Sequence, residues 1–201
     1  DFILMNTKNF VSKNVNEFYK ILKVVTTPLK PGNFFPKLFT VISSLPILAR
    51  ASKAKIKTDH PFKVSYFSTV PYRFGNETSA VKYAVTPSQK NILEYTDKLN
   101  QDFLRANMAA TLLKHEIVYD FFVQFQTDAV KMPIEDPTIV WDSPLIKLAT
   151  VRIPRQVFDT PLRNEMGESL SFNSWHCLPE HRPLGNFNRV RKIIYDELYK
   201  F

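Results

Sequence analysis

One cysteine in 201 residues, Cys177, excludes an internal disulfide framework and any cysteine-rich metal site. A lone thiol fits a reducing compartment, so a cytoplasmic location is the expectation. Glycine is equally scarce, four residues against fourteen prolines, which points to long, stiff connections between defined elements and away from low complexity. No Gly-x-Ser-x-Gly elbow surrounds any serine, so hydrolase chemistry has no foothold. No apolar run approaches the roughly 18 residues needed to span a bilayer, and no leader of basic, apolar and small residues opens the chain, which reads as soluble. It starts instead inside an apolar run, Asp1-Phe-Ile-Leu-Met-Asn-Thr7. That start is expected of a fragment or a processed product. Neither an internal repeat nor a shift of composition marks a linker, so residues 1–201 are read as one domain.

Charge is present in surplus but unevenly. The net charge is +8, and residues 1–67 carry eleven Lys/Arg against three Asp/Glu, while residues 68–201 hold sixteen of each. Only Ala51-Ser-Lys-Ala-Lys-Ile-Lys57 is locally dense, and it lacks the interleaved aromatics that stack single-stranded bases. It reads as a solvated edge, and nucleic acid is not an expected partner.

Hydrophobic spacing gives the elements. Asp1 to about Val11 alternates loosely and is predicted as a strand. Asn14-Val-Asn-Glu17 has the spacing of a capping box with Asn in the Ser/Thr position, and Val15, Phe18, Leu22 and Val25 share one face, which predicts a helix over 14–25. Lys37–Ala51 reads as helical despite Pro46. Lys63–Val70 and Ala80–Val85 are rich in β-branched and aromatic residues and are predicted to pair. From about Asn100, Phe103, Leu104, Met108, Leu112 and Leu113 keep helical spacing, with Lys114 and His115 at the C-terminal end. Ile117–Gln126 and Leu145–Ile153 read as strands. A short strand is predicted around Leu170–Phe172, then a loop stiffened by Pro179 and Pro183, then a helix from about Phe187 to Tyr199. The class is α+β, with an antiparallel sheet too small to close on itself.

The final helix carries the chemistry. Arg191 and Tyr195 are four residues apart and share a helix face, so the guanidinium can reach the phenol oxygen. A phenol, with an ordinary pKa of about 10, is a poor metal ligand at neutral pH, but a cation within a few ångströms favours the phenolate. Other constellations are weaker. His176, Cys177 and His181 lie close together, yet Pro179 and Pro183 make their loop stiff and zinc needs three or four well-spaced ligands. Glu135 and Asp136 are neighbours in an extended stretch and point apart. Asn76-Glu-Thr78 matches a glycosylation triplet of the kind that arises often by chance.

Four stretches taken in order resemble the haem-containing catalase superfamily, and its catalase-related peroxidase branch in particular. Asp1-Phe-Ile-Leu-Met-Asn-Thr7 with Phe10 and Phe18 resembles the segment that ends in an Asn-Asn-Thr-Pro-x-Phe-Phe pattern. Met132-Pro-Ile-Glu-Asp-Pro-Thr-Ile-Val-Trp141 resembles the Asp-x-Thr-x-x-Trp stretch before a late barrel strand. Ser171-Phe-Asn-Ser174 and Arg191-Lys-Ile-Ile-Tyr195 resemble the proximal strand and the Arg-x-x-x-Tyr ligand helix.

The resemblance implies part of a catalase-like antiparallel β-barrel with flanking helices and a C-terminal helix that ligates haem b through Tyr195, since tyrosine is the axial ligand of catalase haem. Arg191 would hold the phenolate by a charge-assisted hydrogen bond, and Phe10, Phe18, Phe172 and Phe187 would line the macrocycle. The implied reaction is peroxide or organic hydroperoxide chemistry, with assembly into a homo-oligomer left open. Two departures qualify it: Met5 replaces the first distal Asn, leaving Asn6, and the family's distal histidine lies upstream of the segment that Asp1 opens. His60, His115, His176 and His181 fall in other segments. A fatty-acid hydroperoxide isomerase or dehydratase of the allene oxide synthase type, and an inactive haem-binding fragment, stay open beside it.

Overall fold

In the computed structural model, residues 1–26, 34–54, 56–75, 79–96 and 101–198 are described. In chain order they form α1 (Val15–Thr26), α2 (Phe34–Ala54), β1 (Tyr66–Phe67), β2 (Tyr72–Arg73), β3 (Ala80–Pro87), α3 (Phe103–Lys114), β4 (Ile117–Phe125), β5 (Leu145–Ile153), α4 (Pro161–Ser169) and α5 (Asn186–Leu198). Short 3-10 turns sit at Pro61–Lys63 and Pro179–His181.

The three long strands run antiparallel in the order β3, β4, β5, and β1 and β2 both pair the free side of β3. The sheet is open, and β5 forms its far edge with all but one residue exposed. Side chains alternate across it. Val81 and Tyr83 of β3 and Phe121, Val123 and Phe125 of β4 face one way, onto Phe187 of α5 and the partly buried Phe10, Val15 and Phe18. Fully burying a residue of this size stabilises by roughly 1.5–3 kcal/mol, so this is the main adhesive between sheet and helices. A second cluster joins Leu112 of α3 to Ile117 and Tyr119 of β4, and a third places Met132 and Trp141 over Ala80.

The helix α1 is capped as its sequence predicts: the Asn14 Oδ1 accepts from the Glu17 N–H at 3.0 Å, and the Glu17 carboxylate reaches back to the Lys13 N–H at 2.9 Å. The same carboxylate accepts from Arg50 Nη2 at 2.9 Å and ties α1 to α2. Pro46 lies inside α2 without ending it.

Several predicted elements shrink. Asp1–Val11 is not a strand beyond a two-bond bridge between Met5 and Phe67, because its polar residues tie it to a loop: the Phe10 N–H donates to Pro137 O and Asn9 Nδ2 to Thr138 O. Lys63–Val70 keeps only Tyr66–Phe67 as strand. His60 holds a 3-10 turn before it by accepting from the Phe62 N–H, and a tight turn at Thr69 breaks it behind. No strand forms around Leu170–Phe172; that stretch is exposed, and Asn173 behind it bonds to Asp1 and Asp196. The helix α4 was not predicted, although Thr160-Pro161 is a cap and first-turn pair, with Thr160 Oγ1 accepting from the Arg163 N–H. The glycosylation triplet, Asn100 and Tyr199 lie outside the described residues. Among those residues no helix is long and apolar enough to cross a membrane.

Candidate functional site

The seat of α5 is built from the chain that precedes it. Gly75, Arg73 and Leu184 donate their backbone N–H groups to Glu180 O, Arg182 O and Pro71 O, so that residues 180–184 run along the outer side of β2. Gly185 then turns with φ +85°, a left-handed conformation that glycine adopts without strain. Glu135 closes the start of the helix. Its carboxylate accepts from the Asn186 N–H at 2.8 Å and from Arg189 Nη2, and its carbonyl accepts from Asn186 Nδ2. A carboxylate at a helix N-terminus is also favoured by the dipole.

Helical spacing then turns Phe187, Asn188, Arg191 and Tyr195 towards the sheet. Phe187 is buried, and Phe10 meets it edge to face with centroids 4.7 Å apart; Phe18 completes the group at 5.5 Å from Phe10 and 6.2 Å from Phe187. Asn188 is fully buried and donates from Nδ2 to both Pro71 O and Leu184 O. One helical step on, the Arg191 guanidinium carbon lies 6.0 Å from the centre of the Phe10 ring. Its Nη1 is buried and finds no partner in the protein.

Tyr195 is half-buried, and no hydrogen bond joins it to Arg191. Both bear on Tyr72 of β2, in opposite directions, and its ring lies in the core at 2% exposure. Burial raises the Tyr72 phenol above its ordinary pKa; the Arg191 cation and the nearby Ser174 hydroxyl oppose the rise, and the Tyr195 phenol adds to it. Neither the Tyr72 nor the Ser174 hydroxyl closes a hydrogen bond of good geometry. Two phenols, one guanidinium and one hydroxyl thus lie close enough for the other three to act on Tyr72.

Of the six site residues expected from the sequence, Phe10, Phe18, Phe187 and Arg191 come together, with Tyr195 on the same helix face. Phe172 stands apart from that packing at 62% exposure. Tyr72 and Ser174 were missed; β2 is two residues long and carried no pattern of its own. Phe10 also borders a cavity of about 220 Å³ with Met5, Asn6 and Asn9. The histidines are engaged elsewhere: His60 with Thr111, His115 with Glu94, His176 with Asp1, and His181 against the Phe74 ring.

Neither a protein-family model nor a curated protein matches the sequence. Solved structures do match. A fungal catalase superposes with a TM-score of 0.68 at 14% identity, over 100% of this chain and 44% of its own. A bacterial catalase gives 0.67 at 15% identity, over 98% and 42%. Catalase A from Saccharomyces cerevisiae gives 0.68 at 14% identity, over 100% and 46%. At such identity the likeness shows the fold, which is catalase-like. The chain spans less than half the length of these catalases.

Proposed function

We propose that this chain is the haem-anchoring part of a catalase- or peroxidase-type oxidoreductase acting on hydrogen peroxide or an organic hydroperoxide. One observation carries the reading: in a catalase-like fold, an arginine whose Nη1 is buried without a protein partner stands over an aromatic group, on the helix face that also presents Tyr195. The residues present fit a haem. A phenol and a cation on one helix face are a donor set that suits ferric iron, and rings of Phe10, Phe18 and Phe187 suit a flat apolar macrocycle.

In this scheme Tyr195 is the iron ligand, and Arg191 would donate a charge-assisted hydrogen bond to its phenolate once haem is bound. The catalase-like neighbours support haem b as the group, and Phe172 would leave solvent to cover its edge. When bound, the haem supplies the redox chemistry of peroxide cleavage. Burial keeps Tyr72 protonated, so it does not compete as a ligand. Asn6, at the cavity beside Phe10, is the amide available to orient a peroxide.

Ferric haem added to the full chain tests this by absorption spectroscopy. A Soret shift that disappears in Tyr195→Phe, with circular dichroism unchanged, supports the assignment. An identical Soret band in that variant would sink it. Oxygen release from hydrogen peroxide, against conversion of a fatty-acid hydroperoxide, separates the catalase-type reaction from the dehydratase type.

A further inference from the structure

We propose that the outer faces of α1 and α2 form a docking surface for an anionic lipid bilayer. The chain from Phe18 to Thr58 holds eight Lys/Arg and not one Asp or Glu, leaving nineteen of each sign elsewhere. The whole net charge of +8 therefore resides in this stretch. Little of it is neutralised within the fold. Arg50 meets Glu17, whereas Lys20, Lys23 and Lys57 are exposed and have no acidic partner among the described residues.

The helix α2 is apolar on two opposite sides. Ser44, Ile47 and Ala51 follow helical spacing and turn inward, with Ile47 at 2% exposure. Opposite them Ile42, Leu45, Pro46 and Ala49 share an outer face that is exposed, Ile42 at 56% and Leu45 at 55%. A helix that is apolar all round is normally buried, yet this face is uncovered among the described residues. Its neighbour pairs apolar and cationic groups in the same way. Tyr19 and Leu22 of α1 are exposed beside Lys20 and Lys23, and Lys23 Nζ stands 5.6 Å from the centre of the Tyr19 ring. The inner side of α1 seats Val15 and Phe18 against the core, and the bond from Arg50 to Glu17 holds the two helices together.

The composition of the face selects its occupant. Protein partners are met by surfaces rich in arginine and aromatic rings and poor in lysine, and nucleic acids by arginines and stacking platforms. Here seven of the eight cations are lysines, and the one arginine is held by Glu17. The exposed apolar groups described on α2 are aliphatic. Lysine is a hydrated point charge on a flexible stem, which lays its methylenes along apolar surface while its head stays among anionic groups. That combination suits a diffuse anionic surface: lysines draw the chain to charged headgroups, and apolar side chains enter the acyl boundary by roughly 5–10 Å. Tyrosine, with an apolar ring and a polar tip, belongs at the same depth. The helix α2 then lies in the plane of the interface without crossing it, and the contact does not depend on haem.

Cosedimentation of the full chain with vesicles tests this, using phosphatidylcholine alone and phosphatidylcholine with about three-tenths phosphatidylserine, at about 0.1 M and about 0.5 M salt. The expected result is binding to the serine-lipid vesicles, at least about tenfold weaker on phosphatidylcholine and falling as salt screens the lysines. Lys20→Gln with Lys23→Gln should weaken it about thirtyfold, at about fivefold for each lysine near the surface. Ile42→Gln with Leu45→Gln should weaken it about tenfold through lost apolar insertion. All four side chains are exposed, and circular dichroism checks that the helices remain. Absence of binding to either vesicle, or equal binding to both, overturns the proposal. So does full binding by the Ile42 and Leu45 variant, which would leave a charged surface with no apolar docking face. A dimer in analytical ultracentrifugation that the same variant abolishes would assign the face to a second copy of the chain, and overturns it as well.

Discussion

A Cβ on Gly185 would stand 2.9 Å from the carbonyl oxygen of Ile134, closer than real side chains approach. The residue is also left-handed at φ +85°, a region that costs an L-residue roughly 1–2 kcal/mol. Both penalties fall on backbone, which cannot swing aside. Gly185→Ala is expected to lower unfolding free energy by about 2–3 kcal/mol in urea titration, and to loosen α5 before it loosens the sheet. A change under about 0.5 kcal/mol would mean that the 132–141 stretch yields freely.

Asn188 sets how deeply α5 sits. Its side-chain amide donates to Pro71 O and Leu184 O at once, and its backbone carbonyl accepts from Trp175 Nε1 at 2.8 Å. Leucine would match it in volume but remove both donations, leaving Pro71 O with the Leu184 N–H alone. The expected cost for Asn188→Leu is about 1–3 kcal/mol, with haem uptake falling as Arg191 and Tyr195 shift away from Phe10. Unchanged thermal stability would argue that the helix is held by Glu135 and Phe187 alone.

Much of this was legible in the sequence because the elements concerned decide themselves locally. β4 and β5 alternate and end where Pro154 or a polar turn ends them, and α1 announces its own cap through Asn14 and Glu17. The Thr69 turn was not legible. The pairs Tyr66 with Val85 and Tyr72 with Val81 differ in register by two residues, and that slip comes from hydrogen bonds of Ser68 to the partner strand, which no local pattern encodes. For the site, the spacing of Arg191 and Tyr195 and the resemblance of the segments around them named the helix and its aromatic neighbours. Tyr72 and Ser174 escaped because their burial depends on what a distant segment lays over them.

His60 gives the fold an acid sensitivity. It is fully buried, with Nδ1 accepting from the Phe62 N–H and Nε2 against Thr111 Oγ1 at 2.9 Å. Burial lowers its pKa below the ordinary 6.5 despite opposing hydrogen bonds. As pH falls through 6.5, the unfolded chain takes up a proton that the folded ring refuses. Stability is therefore complete above that value and declines below it, towards the folded pKa. In urea titrations from neutrality to about pH 5.5, His60→Asn should be less stable overall but lose less on acidification. Parallel pH profiles for the two proteins would assign the acid sensitivity to another group.

Arg191 separates binding from stability. In the haem-free chain its half-buried guanidinium has one nitrogen without a partner, a cost that folding must offset. Methionine fills similar space against Phe10 and asks for no hydrogen bond. Arg191→Met should therefore raise unfolding free energy by about 0.5–2 kcal/mol while haem is lost more readily from the loaded protein. A residue retained for packing gives the reverse on both measurements. Loss of stability together with unchanged haem retention would move the arginine from the site to the scaffold, and it would remove the observation on which the haem assignment rests.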